Sequence, residues 1–459
     1  MAALDTSIVN VGGPSVQRDL HLSGAGLQLA IYSYVLVYAV TLILGARLGA
    51  RHGYGRVFVV GMALFTIDSL ACGLAVSPAM LVAARAAQGL GAALMVPQVL
   101  SILQVGFEGK RRRRVLSMYG MVLAVGVAAG QVLGGLLVSA NLFGMQWRPI
   151  FLVNVPAGLV VLACSVGRLP TVATPDRRRL DIFGAVLLAA AIMALVTPLT
   201  FGAGAGWPWW SWPVLVLGMT ALSAFGGYEA HLARTGREPL IDPALLAPWQ
   251  VRAGLAGIST LTCCFGGLLF TTELFFQNVL HYTPLRSGLT FAAYSAGFAT
   301  ASLTWSRLPP AWQGRVPGSA FAAMAIATAA LAWAVGGRSW AWPASVLFTV
   351  AGAGHGAGFG ALVQRTVKSV RSEHVADASG ALTTIIQLSI VSGIAAAGNL
   401  YLEIGPATAI PAMSWVFLAV AAVLAVAGTA VCTALATRPG TGHDQREETG
   451  SEIPRRRHR

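Results

Sequence analysis

Leu81-Val82-Ala83-Ala84-Arg85-Ala86-Ala87-Gln88-Gly89-Leu90-Gly91-Ala92-Ala93 carries one charge inside an apolar window that runs from 79 to 104. A window of that kind is long enough to cross a bilayer, since ~30 Å of hydrocarbon takes roughly 20 mostly apolar residues in a helix. Thirteen more windows flank it, near 1–16, 27–46, 57–76, 115–140, 148–166, 182–201, 212–230, 252–274, 287–306, 317–335, 341–363, 376–401 and 411–435. Arg85 is the one arginine in the interior of a window, Arg148 and Arg252 standing at the first position of theirs. Of the 31 lysines and arginines, 26 fall on alternate connections and the tail, while Arg18, Arg148, Arg286 and Arg338 alone fall on the others. This is the asymmetry of the positive-inside rule. It predicts an all-α polytopic membrane protein with about 14 transmembrane helices and both termini cytoplasmic.

Composition points the same way. The chain is 56% hydrophobic and 10% charged, with mean hydropathy +0.68, where soluble domains carry roughly 25% charged residues. Many windows are rich in glycine and alanine, which suits close packing of membrane helices. The ten-residue alternation of a barrel strand is absent. A net charge of +14 could indicate nucleic acid, but its confinement to one side of the windows assigns it to topology. Cys72, Cys164, Cys263, Cys264 and Cys432 lie inside windows without ligand spacing, so neither metal nor cofactor is expected. The first window, Met1 to Val16, would span only ~24 Å at 1.5 Å per residue.

Two longer connections divide the chain. The stretch 167–181 holds Pro170, Pro175 and Arg177 to Arg179, and 231–251 holds Pro239, Pro243 and Pro248. Between them 182–230 reads as an inserted transmembrane hairpin, its outer turn marked by Trp207, Trp209, Trp210 and Trp212 as in an interfacial aromatic belt. The expected organisation is an N-terminal six-helix bundle (1–166), this insert, a C-terminal six-helix bundle (252–435) and a disordered tail (436–459). An echo supports related halves: Arg47-Leu48 with Gly55-Arg56-Val57, and Arg307-Leu308 with Gly314-Arg315-Val316, each after the second window of its half.

Ionisable groups inside membrane helices cost about 2.5–3.5 kcal/mol on insertion scales and mark function by default. Asp5 and Arg85 are the leading pair. Asp5 is ~16 Å and Arg85 ~9 Å from the outer ends of their helices, a difference that an arginine side chain covers, and pairing would lessen the penalty of both charges. A purely structural ion pair is the alternative. Gly126, Gly130 and Gly134 recur every fourth residue, with Gly135 beside them and Gln131 as the polar member of the stripe. Asp68, Glu273 and His355 are the other intramembrane titratable groups. Glu273 opens the run Glu273-Leu274-Phe275-Phe276-Gln277-Asn278, suited to a cationic substrate or to the outer headgroups.

At these residues the chain resembles the major facilitator superfamily, specifically its fourteen-helix drug:proton antiporter branch, over essentially its whole length. Leu4, Asp5, Asn10, Val11 and Pro14 match that family's first-helix pattern, with Ser7 in place of threonine and Gly12-Gly13 in place of Ala-Leu. Arg85, Gln88, Gly89, Gly91, Ala92 and Ala93 match its fourth-helix pattern in full. Gly126, Gly130, Gly134 and Gly135 match its fifth-helix antiporter pattern, with Ser117 for the first glycine and Gln131 for the proline. In the loop between helices two and three, which also holds Arg47 and Arg56, Arg51 and Gly53 of the family's pattern are kept, but Ala50 stands where an acid latches the two halves, which implies an easier inward opening.

What the resemblance implies is export of drug-like or amphipathic molecules by alternating access. Proton flow would run through Asp5 and Arg85, with substrate contacts at Asn10, Gln88, Gln131, Glu273, Gln277 and His355. Gating would fall to the loop and the fifth-helix glycines. The expected protein is a monomeric carrier in a bacterial cytoplasmic membrane, with lipid, protons and a small molecule as partners and no nucleic acid. It is not expected to be an enzyme. Uptake or uniport on the same fold is the nearest rival; a membrane-embedded transferase would need catalytic groups converging at one interface, and here they are scattered.

Overall fold

The computed structural model describes residues 1–169, 181–201, 207–237, 239–240, 243, 248–335, 340, 342–368, 375–404 and 409–436. The predicted hinge residues Pro170, Pro175 and Arg177 to Arg179, the basic residues Arg338 and Arg371, and the tail from 437 lie outside them. A helix stands at each of the fourteen windows. The first half comprises α1 (Ala2–Asp19), α2 (Gly24–His52), α3 (Tyr54–Gly73), α4 (Pro78–Gly106), α5 (Gly109–Ala140), and a sixth element broken into α6 (Pro149–Leu152) and α7 (Asn154–Ser165). After it come α8 (Ile182–Phe201) and α9 (Ser211–Arg234). The second half comprises α10 (Trp249–Leu274), α11 (Pro284–Thr304), the short α12 (Pro310–Gln313), α13 (Val316–Ala334), α14 (Trp342–Lys368), α15 (Val375–Glu403) and α16 (Ala409–Ala436).

Local signals set several helix ends. Ser77 and Thr283 each cap a helix whose next residue is proline, their hydroxyls accepting from the amides of Met80 and Arg286. Proline loses nothing at that position, because its missing N–H would have had no intrahelical partner. Gly53 ends α2 and opens α3 with φ 97°, a conformation that only glycine adopts without strain.

Length and composition of the described helices show part of the expected 14 or so spans. By length and composition seven cross a membrane unaided among the described residues: Tyr54–Gly73, Pro78–Leu103, Trp249–Val279, Val316–Ala334, Trp342–Thr366, Leu382–Glu403 and Pro411–Thr433. The α2 helix qualifies as an eighth only as two arms, Ser33–Leu42 and Leu44–His52, bent by 51°. Two others fall short for identifiable reasons. The α1 helix has 18 residues and carries Asp5, Arg18 and Asp19, and the sixth element, Pro149–Ser165, runs for only 17 residues. Such helices depend on their neighbours, and α1 is held at its far end by Asp19, which takes bonds from the Trp147 indole (2.9 Å) and Arg148 (3.0 Å).

The same pairings occur in both sets of six. First packs on fifth (α1 on α5, α10 on α15), second and third pack on fourth (α2 and α3 on α4, α11 and α13 on α14), and third packs on sixth (α3 on α7, α13 on α16). Across the middle, the fifth helix of one set meets the second of the other, α5 on α11 and α2 on α15. The α8–α9 hairpin lies over that second seam, with α8 touching both α2 and α15. In its outer turn the Trp207 and Trp212 rings stack at 5.5 Å, and Trp209 and Trp212 are exposed.

Glycine makes these approaches possible. A methyl group on Gly89 would meet the Tyr34 carbonyl at 2.4 Å, on Gly91 the Phe65 amide at 2.6 Å, and on Gly352 and Gly356 the Tyr294 and Phe298 carbonyls at 2.1 and 2.2 Å. Those atoms are backbone and cannot swing aside. Replacing Gly356 by alanine should therefore lower thermal stability of the detergent-solubilised protein by about 1–3 kcal/mol, the usual range for an overpacked core. Gly226→Ala, with nothing within 4 Å of the added methyl, should leave it unchanged or slightly raised; equal melting shifts for the two would contradict this account of the packing.

Candidate functional site

Asp5 lies at the centre of a polar network closed off from solvent. Arg85 Nη1 is 2.6 Å from Asp5 Oδ2, and both side chains are about 1% exposed or less. Gln88, one helical turn beyond Arg85 on the same face, donates from Nε2 to Asp5 Oδ1 (3.1 Å) and to Ser69 Oγ (2.7 Å). Asn154 at the start of α7 donates to Asp5 Oδ1 at 3.0 Å. The guanidinium also donates to Gln88 Oε1 (2.6 Å) and, from Nε, to the Ala30 carbonyl (3.4 Å). Its carbon sits 4.4 Å above the Tyr34 ring and 5.6 Å from that of Phe151. Five elements, α1, α2, α3, α4 and the sixth, thus contribute to one network, in which α4 and the sixth bond the Asp5 carboxylate directly and α2 and α3 hold Arg85 and Gln88.

A buried pair of this kind is held by charge-assisted hydrogen bonds, about twice as strong as neutral ones. Removing either partner leaves an uncompensated buried charge, a loss of about 3–5 kcal/mol. Whatever alters the charge on Asp5 therefore alters the restraint on Arg85, Gln88 and Asn154 together.

The other candidates fall into separate places. Gly130 and Gly134 face α1, where an added methyl would meet Ser7 and Leu4, or Ile8; half-buried Gly126 lies one turn before them. Gly135 turns instead to α11, against the Pro284 carbonyl, and Gly288 of α11 reciprocates against the carbonyl of Gln131. The stripe therefore serves two interfaces, one within its own set of six and one between sets. The Gln131 amide is fully buried with neither end hydrogen-bonded among the described residues. Asn10 donates to the Thr6 carbonyl at 2.9 Å, and its oxygen has no partner among the described residues.

Glu273 and Gln277 form a second polar knot, one turn apart on α10 where it passes into a π-helical segment, Phe275–Val279. Glu273 Oε1 accepts from Gln277 Nε2 and from Ser287 Oγ, both at 2.6 Å. Gln277 Nε2 also donates to the Val11 carbonyl of α1 at 2.7 Å, which ties the two sets of six together. His355 is not part of either network. It lies in α14 with Nδ1 3.0 Å from the Tyr294 hydroxyl. In the loop, Arg47 turns away from its neighbours and donates to the carbonyls of Pro239 (2.5 Å) and Leu240 (3.4 Å) on the connection after α9. Arg51 and Arg56 stand exposed, and Gly53 supplies the turn.

Sequence reading missed Ser69, Tyr34 and Asn154. Asp68 drew notice as the charged residue of α3, yet it is its neighbour Ser69, about 100° around the helix, that faces Gln88. Asn154 had a signal, an isolated amide in an apolar window two residues before Pro156. That signal becomes readable only once the sixth helix is known to break beside it.

Comparison with known proteins places this geometry. A family model described as Major Facilitator Superfamily matches residues 1–394. The chain is 32% identical over 413 residues to the "Probable actinorhodin transporter" of Streptomyces coelicolor, covering 87% of this chain and 70% of that one. It is 40% identical over 304 residues to the "Cephamycin export protein CmcT" of Amycolatopsis lactamdurans (64% and 60% covered). It is 35% identical over 318 residues to the "Multidrug resistance protein Stp" of Mycobacterium tuberculosis (69% and 58%). The chain thus spans about 60% of the length of the second and third of these relatives. Among solved structures it resembles a bacterial homologue of the human lysosomal transporter Spinster, inward-facing and occupied, with TM-score 0.64 at 16% identity over 94% of this chain and 93% of that one. It likewise resembles the nucleoside transporter NupG, with TM-score 0.60 at 14% identity over 94% and 96%. An all-helical fold of two repeated six-helix sets and a family match across most of its length give one conclusion: the chain belongs to the Major Facilitator Superfamily.

Proposed function

We propose that this protein exports drug-like or amphipathic small molecules, of the antibiotic and multidrug class, across a bacterial cytoplasmic membrane in exchange for protons. The observation that carries this reading is Asp5, a carboxylate buried in an apolar bundle and held by Arg85, Gln88 and Asn154. A protonated Asp5 no longer bonds Arg85 as an anion, so the guanidinium and the amide of Gln88 are released to rearrange. Loading a proton and changing the packing of α1 against α4 and α7 are then one event. Relatives named for export of cephamycin and multidrug resistance favour this direction of transport.

On this reading 1–166 and 252–435 are the two moving bundles, joined through the linkers 167–181 and 231–251, and 182–230 is an inserted hairpin that steadies the α2–α15 seam. Fourteen spans leave both termini in the cytoplasm. The bundles then meet on the outer side, where Gly24 approaches Leu402 and the Leu285 amide donates to Ser139. Substrate would contact Asn10, Gln88, Gln131, Glu273, Gln277 and His355. Gly135 would let the bundles slide, Gly126, Gly130 and Gly134 would let α1 shift on α5 within one bundle, and Arg47, anchored to the linker carbonyls, would restrain the inner side together with Arg51, Gly53 and Arg56. The protein acts as a monomer without cofactor.

Two measurements test this. Asp5→Asn should abolish efflux driven by an imposed pH gradient in reconstituted vesicles while membrane insertion is retained; full transport by this variant would remove Asp5 from the mechanism. In the same vesicles, wild-type protein should move substrate against the direction of proton flow. Movement of both in one direction, or transport indifferent to the gradient, would favour an uptake or uniport carrier instead.

A further inference from the structure

Four glutamine side chains are completely buried among the described residues: Gln28, Gln88, Gln98 and Gln131. Two of them lie within the first set of six and are hydrogen-bonded. Gln88 bonds Asp5, Ser69 and Arg85, and Gln98 donates from Nε2 to the carbonyls of Gly45 (2.8 Å) and Leu94 (2.9 Å). Gln28 and Gln131 have neither amide oxygen nor amide nitrogen bonded among the described residues. Both of these stand at the seams between the two sets.

Gln28 lies on α2 one turn after Gly24 and faces Gly398 of α15. A methyl group on Gly398 would run into Gln28 Nε2, and would meet two ring carbons of Phe270 at 2.9 and 3.1 Å. Gln131 lies on α5 one turn before Gly135, on the face turned to α11, where Gly288 abuts its carbonyl. The two seams thus carry one pairing with the roles exchanged. In the first, the glutamine comes from a second helix and the glycine from a fifth. In the other, the glutamine comes from the fifth helix and the glycine from the second. Each glutamine stands one turn deeper than a closing contact of its seam, Gly24 on Leu402 or Gly135 on Pro284.

A buried amide without partners gives up its bonds to water and gains none in exchange. In the closed seams that penalty is outweighed by close packing of glycine against its neighbours. Polar ties such as the Leu285 amide on Ser139 (3.0 Å) and the Thr384 hydroxyl on the Ala39 carbonyl (3.4 Å) add to it. Parting a seam lets water reach the amide and cancels the penalty, whereas parting α2 from α4 at Gln98 only breaks a bond. We infer that Gln28 and Gln131 are a matched pair of openers, one in each seam, that bias the closed end of the molecule toward parting. This rests on the alternating-access reading, in which that end faces outward and the sets move as bodies, so that both seams open together. Gln131 then meets substrate only once its seam has parted.

The bias can be read without substrate or gradient. The full chain in lipid nanodiscs would be followed by amide hydrogen exchange, corrected for intrinsic rates, in peptides covering 281–288 and 398–404. Leucine keeps the bulk of glutamine without its polar atoms. Gln28→Leu and Gln131→Leu should therefore each slow exchange in both peptides about tenfold, equal to about 1.4 kcal/mol. The double variant should slow it about a hundredfold, since the two side chains share no partner. Gln28→Met and Gln131→Met should act as the leucine variants do, so that a badly fitting leucine is not mistaken for a failed opener. Gln98→Leu, which removes hydrogen bonds away from the seams, should slow neither peptide. Unchanged or faster exchange in both the leucine and methionine variants, slowing confined to the altered seam, or equal slowing in Gln98→Leu would overturn the inference. Variants that slow exchange as expected, in a protein whose wild type drives no proton-linked flux, would refute the export reading and leave the openers in place.

Discussion

Arg85 and Asp5 are the constraint around which the first half of the molecule is arranged. Two opposite charges 2.6 Å apart, both sealed from solvent, are tolerable in an apolar medium only while every neighbouring group keeps them satisfied. Tyr34 from α2, Ser69 from α3 through Gln88, and Asn154 from the broken sixth helix each meet part of that demand. The short α1, which carries Asp5 and both Arg18 and Asp19, gains its place in the bundle from these contacts and from Trp147 and Arg148 at its far end. Its own hydropathy would not hold it there.

Among the described residues of the second half no such buried ion pair occurs. Close backbone approach takes its place, through Gly352, Gly354, Gly356 and Gly358 on α14 and Gly266 and Gly267 on α10 against α15. In a membrane, where lipid tails are as apolar as leucine, contact area gained by small residues is a principal source of helix association. Glycines bring backbones together in both halves, as at Gly89 and Gly91 in the first, which has the charged hub in addition. The halves are joined by the Gln277 amide on the Val11 carbonyl, by α5 on α11 and by α2 on α15.

Part of the site could be read from residue types alone. Arg85 stands out because it is the single arginine in the interior of a window, and Asp5 because a carboxylate so near the start of a membrane helix is rare. Glu273 and Gln277 were visible as a polar run one turn apart. Ser69 was not, because a serine in an apolar helix is unremarkable until its phase is known, and its neighbour Asp68 carried the stronger signal. The count of spans was also less secure than the count of helices. The α1 helix mixes charge with apolar residues and the sixth element is short, so both draw stability from partners as well as from composition.

The sequence by itself determined where the helices run and which charges would have to find partners. Those properties follow from hydrophobicity and charge along one dimension, so a single chain suffices to read them. Only the tertiary structure decided which polar atoms meet: that Gln88 rather than a second charge completes Asp5, that Gly135 serves the inter-half seam while Gly134 serves α1, and that His355 bonds Tyr294. These outcomes depend on helix phase and on how closely backbones approach. At 100° per residue, a shift of one position in register would have turned each of those side chains elsewhere.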